Sequence, residues 1–341
     1  MLRGAVIGLG NVALKVHLPG WARRADAVEV VAVTDVASER RSLVGAVLPT
    51  ARWYDSAEEL LAREQLDFID ICTPPFSHAD IIARALARGF HVLCEKPLVC
   101  SRDELALLTE AAAATGRVLH TVHNWHHAPI IKRTAELVRE GAIGRITRVG
   151  WQTLRTEPAP TRDAREGNWR LDPLLGGGGI LSDHGWHVFY LLQWWIGEAP
   201  TAVSARLETR RHTAWPVEDT ATVRVTFPHA TAEIFLTWAA DRRRNRAELI
   251  GTESRIELAD ETLVLTRDGR ERRWAYPPAL SNGSVHPDWF DPVLDQFLGE
   301  VTGTAPRDSN LAEAALCLAL ESLARESSRQ DGRLMAIPAT S

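Results

Sequence analysis

The stretch "RGAVIGLGNVA", residues 3 to 13, constrains the fold more than any other part of the chain. An apolar, β-branched run leads directly into Gly8 and Gly10, with Ala13 completing a G-x-G-x-x-A spacing. Glycine at the first position permits a tight turn, and at the second it lets the backbone approach a pyrophosphate. The small Ala13 allows the following helix to pack closely on the strand, and the start of that helix supplies partial positive charge to a phosphate. Alone, the pattern describes only a strand-to-helix turn. Its context adds a second strand, "VVAVTD", ending at Asp35, whose carboxylate is suited to accept hydrogen bonds from an adenosine ribose and to repel a 2′-phosphate. Arg40 and Arg41 come soon after and could instead hold that phosphate, so NAD is the expected cofactor and NADP stays open.

The first half continues in the same alternation. "VEVVAVTD", "DFIDICT", "HVLCE" and "RVLHTV" read as further strands, with amphipathic stretches between them, and this predicts a parallel sheet wrapped by helices. In "SHADIIARALARG" Ser77 is a candidate N-cap and Gly89 a candidate stop; "SRDELALLTEAAAATG" has a capping-box spacing at Ser101 and Glu104 and closes on Gly116. After residue 122 the texture changes to alternating strands such as "TATVRVTF" and "TAEIFLTW", the signature of an antiparallel sheet with one packed face. A chain of 341 residues exceeds what one core usually serves. The expected division is therefore 1–122 for nucleotide and 123–341 for substrate and assembly, with a last helix near 309–329 that could pack back on the first domain.

Composition excludes several classes of partner. Lysine plus arginine total 39 and aspartate plus glutamate 44, a net charge of −5, so neither nucleic acid nor an anionic membrane is expected. The opening "MLRGAVIGLG" carries no charged leader and no spanning run, which predicts a cytoplasmic protein. Cys72, Cys94, Cys100 and Cys317 have no zinc spacing and sit in apolar surroundings, so reduced, buried thiols are expected.

Two further stretches carry chemistry. "CEKPL" places Lys96 at the carboxyl end of the fourth of these strands, where open α/β sheets bind ligands; the plainer reading is a surface lysine before a turn. "GGGGILSDHGWH" places Asp183 and His187 four residues apart, on one face of a helix, behind four glycines that could fold tightly against cofactor or substrate. Phe189, Leu192 and Trp195 supply an apolar anchor for that helix. Read by itself, His187 is as well explained as a core histidine.

Together "GAVIGLGNVA", "TPPFSHADIIARALARGFHVLCEKPL", "GGGGILSDHGWH" and "AELIGTESRIEL" resemble the Gfo/Idh/MocA oxidoreductases, in register from residue 2 to about 330. The resemblance implies an α/β protein: an N-terminal Rossmann domain and a C-terminal α+β domain with a large open-faced, mostly antiparallel sheet that often joins subunits, here as a homodimer or homotetramer. It implies that Lys96, Asp183 and His187 form the catalytic group. It also implies that Gly8, Gly10, Asn11, Val12, Asp35, Thr73, Pro74, His78, Glu95 and Lys96 hold the cofactor. Asn124, Trp125, His126 and His184 are the substrate candidates. Here the chain departs from its relatives, since "HNWHHAP" has Trp125, His126 and His127 where arginines are common, which argues against an anionic substrate. His123, His126, His127 and His184 could in principle gather a metal, although loop histidines more often bind water or backbone, and no metal is expected. The expected activity is hydride transfer between NAD(P) and a secondary hydroxyl or carbonyl of a sugar, cyclitol or related polyol. The alternatives are a retained NAD serving epimerisation, elimination or glycoside cleavage, and a non-catalytic NAD sensor.

Overall fold

The protein is described by a computed structural model covering residues 1–161, 167–283, 285–307 and 309–338. Among these the chain forms two compact units. The first comprises Met1–Asn124, Pro160–Trp169 and Val285–Ala315. Its sheet contains β1 (Leu2–Ile7), β2 (Val28–Thr34), β3 (Arg52–Tyr54), β4 (Phe68–Ile71), β5 (His91–Cys94) and β6 (Leu119–Thr121), ordered β3-β2-β1-β4-β5-β6 with every pair parallel. The residues of β4 and β5 are all buried, as strands covered by helices on both faces must be. The strand order reverses between β1 and β4, and the glycine loop, Asp35 and Lys96 all lie at the carboxyl ends of the strands, where open α/β sheets bind ligands at such a switch point. The sequence pattern misses β3, a three-residue edge strand whose Arg52 is exposed and which has no room to show a period.

Local signals mostly act as their chemistry suggests. Ser101 Oγ accepts the Glu104 N–H at 3.5 Å, and the helix Arg102–Thr115 ends on Gly116 at φ 64°. Ser77 is different: the chain enters the helix His78–Ala87 through a 3₁₀ turn, Pro75–Ser77, and the Ser77 hydroxyl turns back toward Thr73 and the Pro74 carbonyl. It does not cap the helix, because its own backbone is already helical. The thiols of Cys72, Cys94 and Cys317 are buried, but Cys100 is exposed in the loop that precedes Ser101.

The helix Pro287–Thr302 belongs to the first unit although it comes late in the chain. Phe290, Val293, Leu294 and Phe297 recur at helical spacing and join the core cluster of Val16, Leu18, Trp21 and Phe68. The division at residue 122 assigns this whole stretch to the other domain, since a periodic apolar stripe does not reveal which core it will join.

The second unit comprises Trp125–Ala159, Arg170–Ser284 and Leu316–Ser341. Its strands are β7 (Ile146–Leu154), β8 (Ala202–Glu208), β9 (Thr220–Thr226), β10 (Thr231–Thr237), β11 (Arg244–Gly251), β12 (Arg255–Ala259), β13 (Thr262–Arg267), β14 (Arg270–Ala275) and β15 (Met335–Ala336). They are ordered β14-β13-β12-β11-β7-β10-β9-β8-β15, and only the β7–β10 pair is parallel. Along β7 the buried Val149, Trp151 and Thr153 alternate with Arg148, Gly150 and Gln152, so one face packs while the other is polar, as the Arg148–Glu233 pair illustrates. No helix among the described residues is long and apolar enough to cross a membrane.

Candidate active site

In the first unit the glycine loop has the form a dinucleotide requires. Gly8 adopts φ 90°, and a Cβ there would lie 2.8 Å from the Cys72 carbonyl carbon and the Thr73 nitrogen, so the turn admits only glycine. Around Gly10 the opposite holds: a Cβ would meet nothing within 4 Å, which leaves bare backbone facing open space at the start of a helix. That combination fits a pyrophosphate. Asn11 and Val12 open the helix, and Asn11 Nδ2 donates to the Pro160 carbonyl at 3.2 Å.

Asp35, at the tip of β2, is more heavily engaged than a ribose ligand need be. Its Oδ2 accepts the Leu9 N–H at 2.5 Å and its Oδ1 the Ala37 N–H at 2.8 Å, while Arg40 Nη1 lies 2.8 and 2.9 Å from the two oxygens. The carboxylate thereby ties the glycine loop to β2, and Arg40 must yield its place before a ribose hydroxyl can bond there.

Thr73 and Pro74 come directly after β4. His78, fully buried, sits with Nε2 2.8 Å from the Thr73 carbonyl and Nδ1 3.0 Å from that of Pro97, so its ring braces the two loops. After β5, Glu95 Oε2 accepts the Lys96 N–H at 3.0 Å, and Oε1 lies 3.1 Å from His17 Nε2. Burial pushes the Glu95 carboxyl up, but the His17 hydrogen bond and charge, with Lys96, hold it below the usual carboxylate range. Lys96 is half-buried and the Lys96–Pro97 peptide is cis.

In the second unit the glycine-led helix begins with a π turn, Leu181–Gly185, and continues as Trp186–Ile196. Gly178 and Gly179 each permit a close approach to the protein itself. A Cβ on Gly178 would overlap the Arg325 guanidinium, and one on Gly179 would overlap the Glu218 carbonyl oxygen. Arg325 contacts Glu218 at 3.1 and 3.2 Å, Glu321 at 3.0 Å and Ser182 Oγ at 2.7 Å; Ser182 also bonds Glu321. Glu218 in turn accepts the N–H groups of Ile180 and Leu181. The start of the helix is thus clamped one residue before Asp183.

Asp183 lies 3.5 Å from Arg170 Nε and 3.7 Å from His184 Nε2. Arg155, at the end of β7, is pushed down to about 10 by burial and by Arg243, with Asp183 and Asp260 opposing the shift. His187 is buried, its Nδ1 2.9 Å from the Tyr190 hydroxyl, and the Trp125 ring stacks on it at 4.7 Å and 8°. Tyr190 also accepts the Trp125 N–H at 3.2 Å. The Tyr190 hydroxyl can donate to Nδ1 or accept from it; when Nδ1–H donates, the lone pair falls on Nε2, the tautomer a proton acceptor needs. Phe189, Leu192 and Trp195 are buried as anchors.

The remaining candidates are distributed. Asn124 and His123 belong to the first unit, where His123 Nδ1 lies 3.0 Å from Glu313. His126 packs against Tyr190 at 4.6 Å and meets Trp194 edge-on at 4.7 Å, while His184 lies 6.5 Å from Trp125. Trp125, a substrate candidate in the sequence, is buried as the partner of His187. Tyr190 goes unnoticed in the sequence although it is three residues from His187 on the same helix, a spacing that signals contact. Glu218 and Arg325 leave no local signal.

Residues 2–123 match the family model described as an oxidoreductase family with an NAD-binding Rossmann fold, and residues 131–257 match the GFO/IDH/MocA C-terminal domain. The glycine loop therefore belongs to the NAD-binding domain of a dehydrogenase or reductase that acts on CH–OH groups. The chain belongs to the Gfo/Idh/MocA family. It is 29% identical to D-apiose dehydrogenase of Paraburkholderia graminis over 83% of this chain and 75% of that one. Its identity to the rhizopine catabolism protein MocA of Rhizobium meliloti is 26%, over 95% and 94%. Among solved structures, GenD2 from gentamicin A biosynthesis in complex with NAD superposes with TM-score 0.83 at 25% identity, covering 99% of this chain and 97% of that one.

Proposed function

We propose that this enzyme oxidises a secondary hydroxyl of a sugar, cyclitol or related polyol, with Lys96, Asp183 and His187 as its catalytic residues. The observation that supports the reading is the state of His187: a buried imidazole held at Nδ1 by Tyr190 and at its face by Trp125, so that its orientation is fixed as a general base requires. Bound NAD supplies the hydride acceptor at its nicotinamide ring. His187 Nε2 takes the hydroxyl proton as the carbon–hydrogen bond breaks, and an imidazole, ordinarily near about 6.5, suits that task at neutral pH. Asp183, beside Arg170, accepts a hydrogen bond from a substrate hydroxyl or orients the imidazole. The Lys96 ammonium stabilises alkoxide charge, its backbone fixed through Glu95. The name of the Paraburkholderia graminis relative supports a sugar substrate.

Absorbance of NADH at 340 nm, monitored across a panel of aldoses, glycosides and cyclitols, tests the reading. Net NADH formation is expected with at least one, and His187→Ala should lower turnover by roughly 10²–10⁴ with NAD affinity retained. NAD binding with no net NADH from any polyol would refute it in favour of transient oxidation or a sensor. Unchanged turnover in His187→Ala would remove that residue from the chemistry.

A further inference from the structure

The first unit contains a buried constellation that the proposed reaction does not use. His17 closes the π turn Ala13–His17 that comes after the glycine loop, and it is 0% exposed. Its Nδ1 lies 2.9 and 3.1 Å from the two oxygens of Asp70, in the middle of β4, and its Nε2 lies 3.1 Å from Glu95 Oε1. Trp21 Nε1 donates to Asp70 at 2.7 Å, the Cys72 thiol is 3.2 Å from Nδ1, and the Phe290 ring packs 4.0 Å away. A neutral imidazole has one N–H and one lone pair, so with a carboxylate at each nitrogen one of them would face a lone pair in a water-free setting. Only the imidazolium donates to both.

The chain of contacts does not stop there. Glu95 uses one oxygen for His17 and the other for the Lys96 N–H, so both ends of its carboxylate are fixed. Asp70, His17 and Glu95 thus form a line from the centre of the sheet to the residue that bears the catalytic ammonium. We propose that His17 is a positioning residue for hydride transfer, a charged imidazolium aimed by Asp70 that clamps the Glu95 carboxylate and so sets the backbone of Lys96. This rests on Lys96 serving the proposed oxidation. The electrostatics agree. Burial pulls the imidazole down, yet Asp70 and Cys72 hold it well above its ordinary value, and burial with Asp70 pushes the Cys72 thiol up. The groups facing the ring are Asp70 and Cys72 from β4 and the loop after it, Glu95 from the end of β5, Trp21 from the helix that continues the π turn and the uncharged Phe290 from Pro287–Thr302. The π turn explains why a sequence reading passes over it. One residue more or less in a helix rotates every later side chain by about 100°, and the bulge is what brings His17 round to the carboxylates.

The test uses His17→Gln, Glu95→Gln and the double variant. Nitrogen NMR of the wild-type protein without substrate should show His17 still doubly protonated at neutral pH, where an ordinary imidazole has given up its second proton. In His17→Gln, NAD affinity should hold within about 2-fold while kcat/KM falls roughly 10²-fold, the scale of a small misplacement of a reacting group. The Glu95 carboxyl, followed by carbon NMR, should titrate at higher pH in that variant, because it loses the charge that keeps it ionised. The double variant should be no worse than Glu95→Gln alone. A neutral His17 at pH 7, strictly additive losses, an unmoved Glu95 titration, or one tightly held metal per chain at His17, Asp70 and Cys72 would each overturn the proposal. Where His17→Gln does not fold, the NMR measurement still decides whether the clamp carries its charge. Where no polyol is turned over, the function reading fails while the imidazolium and its coupling to Glu95, read from thermal stability across the same cycle, stand or fall separately.

Discussion

Replacing Tyr190 by phenylalanine removes one oxygen from the centre of the second unit and nothing else. Tyr190 is fully buried, and that oxygen has two jobs: it takes the Trp125 N–H at 3.2 Å and meets His187 Nδ1 at 2.9 Å. Loss of the bond to Trp125 leaves a buried backbone donor short of its acceptor, which costs about 1–3 kcal/mol. At about 2–4 °C per kcal/mol for a domain of this size, the melting temperature should drop by roughly 2–12 °C. The second job concerns rate. An orienting hydrogen bond is worth about 0.5–1.5 kcal/mol net, so kcat should fall roughly 2- to 13-fold, well short of the loss from His187→Ala, because the Trp125 stack still holds the ring plane. Thermal melts, NAD titration and steady-state NADH formation on the same preparation separate the effects. If stability falls and kcat does not, Tyr190 is a packing residue and the tautomer argument fails.

The cofactor pocket and the glycine run offer two sharper perturbations. Asp35→Ser frees Arg40 from its ion pair and removes the charge that repels a 2′-phosphate, so the ratio of kcat/KM for NADP to that for NAD should rise by roughly 10–10²; an unmoved ratio would show that Asp35 serves only the glycine loop. Gly179→Ala drives a methyl group into the Glu218 carbonyl, which is backbone and cannot swing aside. Loss of about 1–3 kcal/mol or more is expected by denaturant titration, and a variant of wild-type stability would mean that the helix start relaxes freely.

The parallel sheet was legible because its central strands are short, mostly apolar runs separated by amphipathic stretches. Gly8 and Gly10 were legible because a phosphate-binding turn imposes a spacing along the chain. Asp183 and His187 were visible as a pair on one helix. The protein neighbours of the glycines before them, Glu218 and Arg325, are remote in sequence and carry no periodicity that would connect them to Gly178. His17 was hidden for a different reason. A π turn has no compositional mark, and the partners of a buried histidine come from strands whose apolar texture conceals a single aspartate such as Asp70.

The guanidinium of Arg325 is made 143 residues after the Ser182 hydroxyl it seizes. A nascent polypeptide therefore exposes its glycine tract and the adjoining acid and imidazole long before their fastening is synthesised. Until the last helix emerges, the tract can meet Glu218 but not the guanidinium that closes over Gly178 and Ser182. The clasp is complete only once that helix has been made.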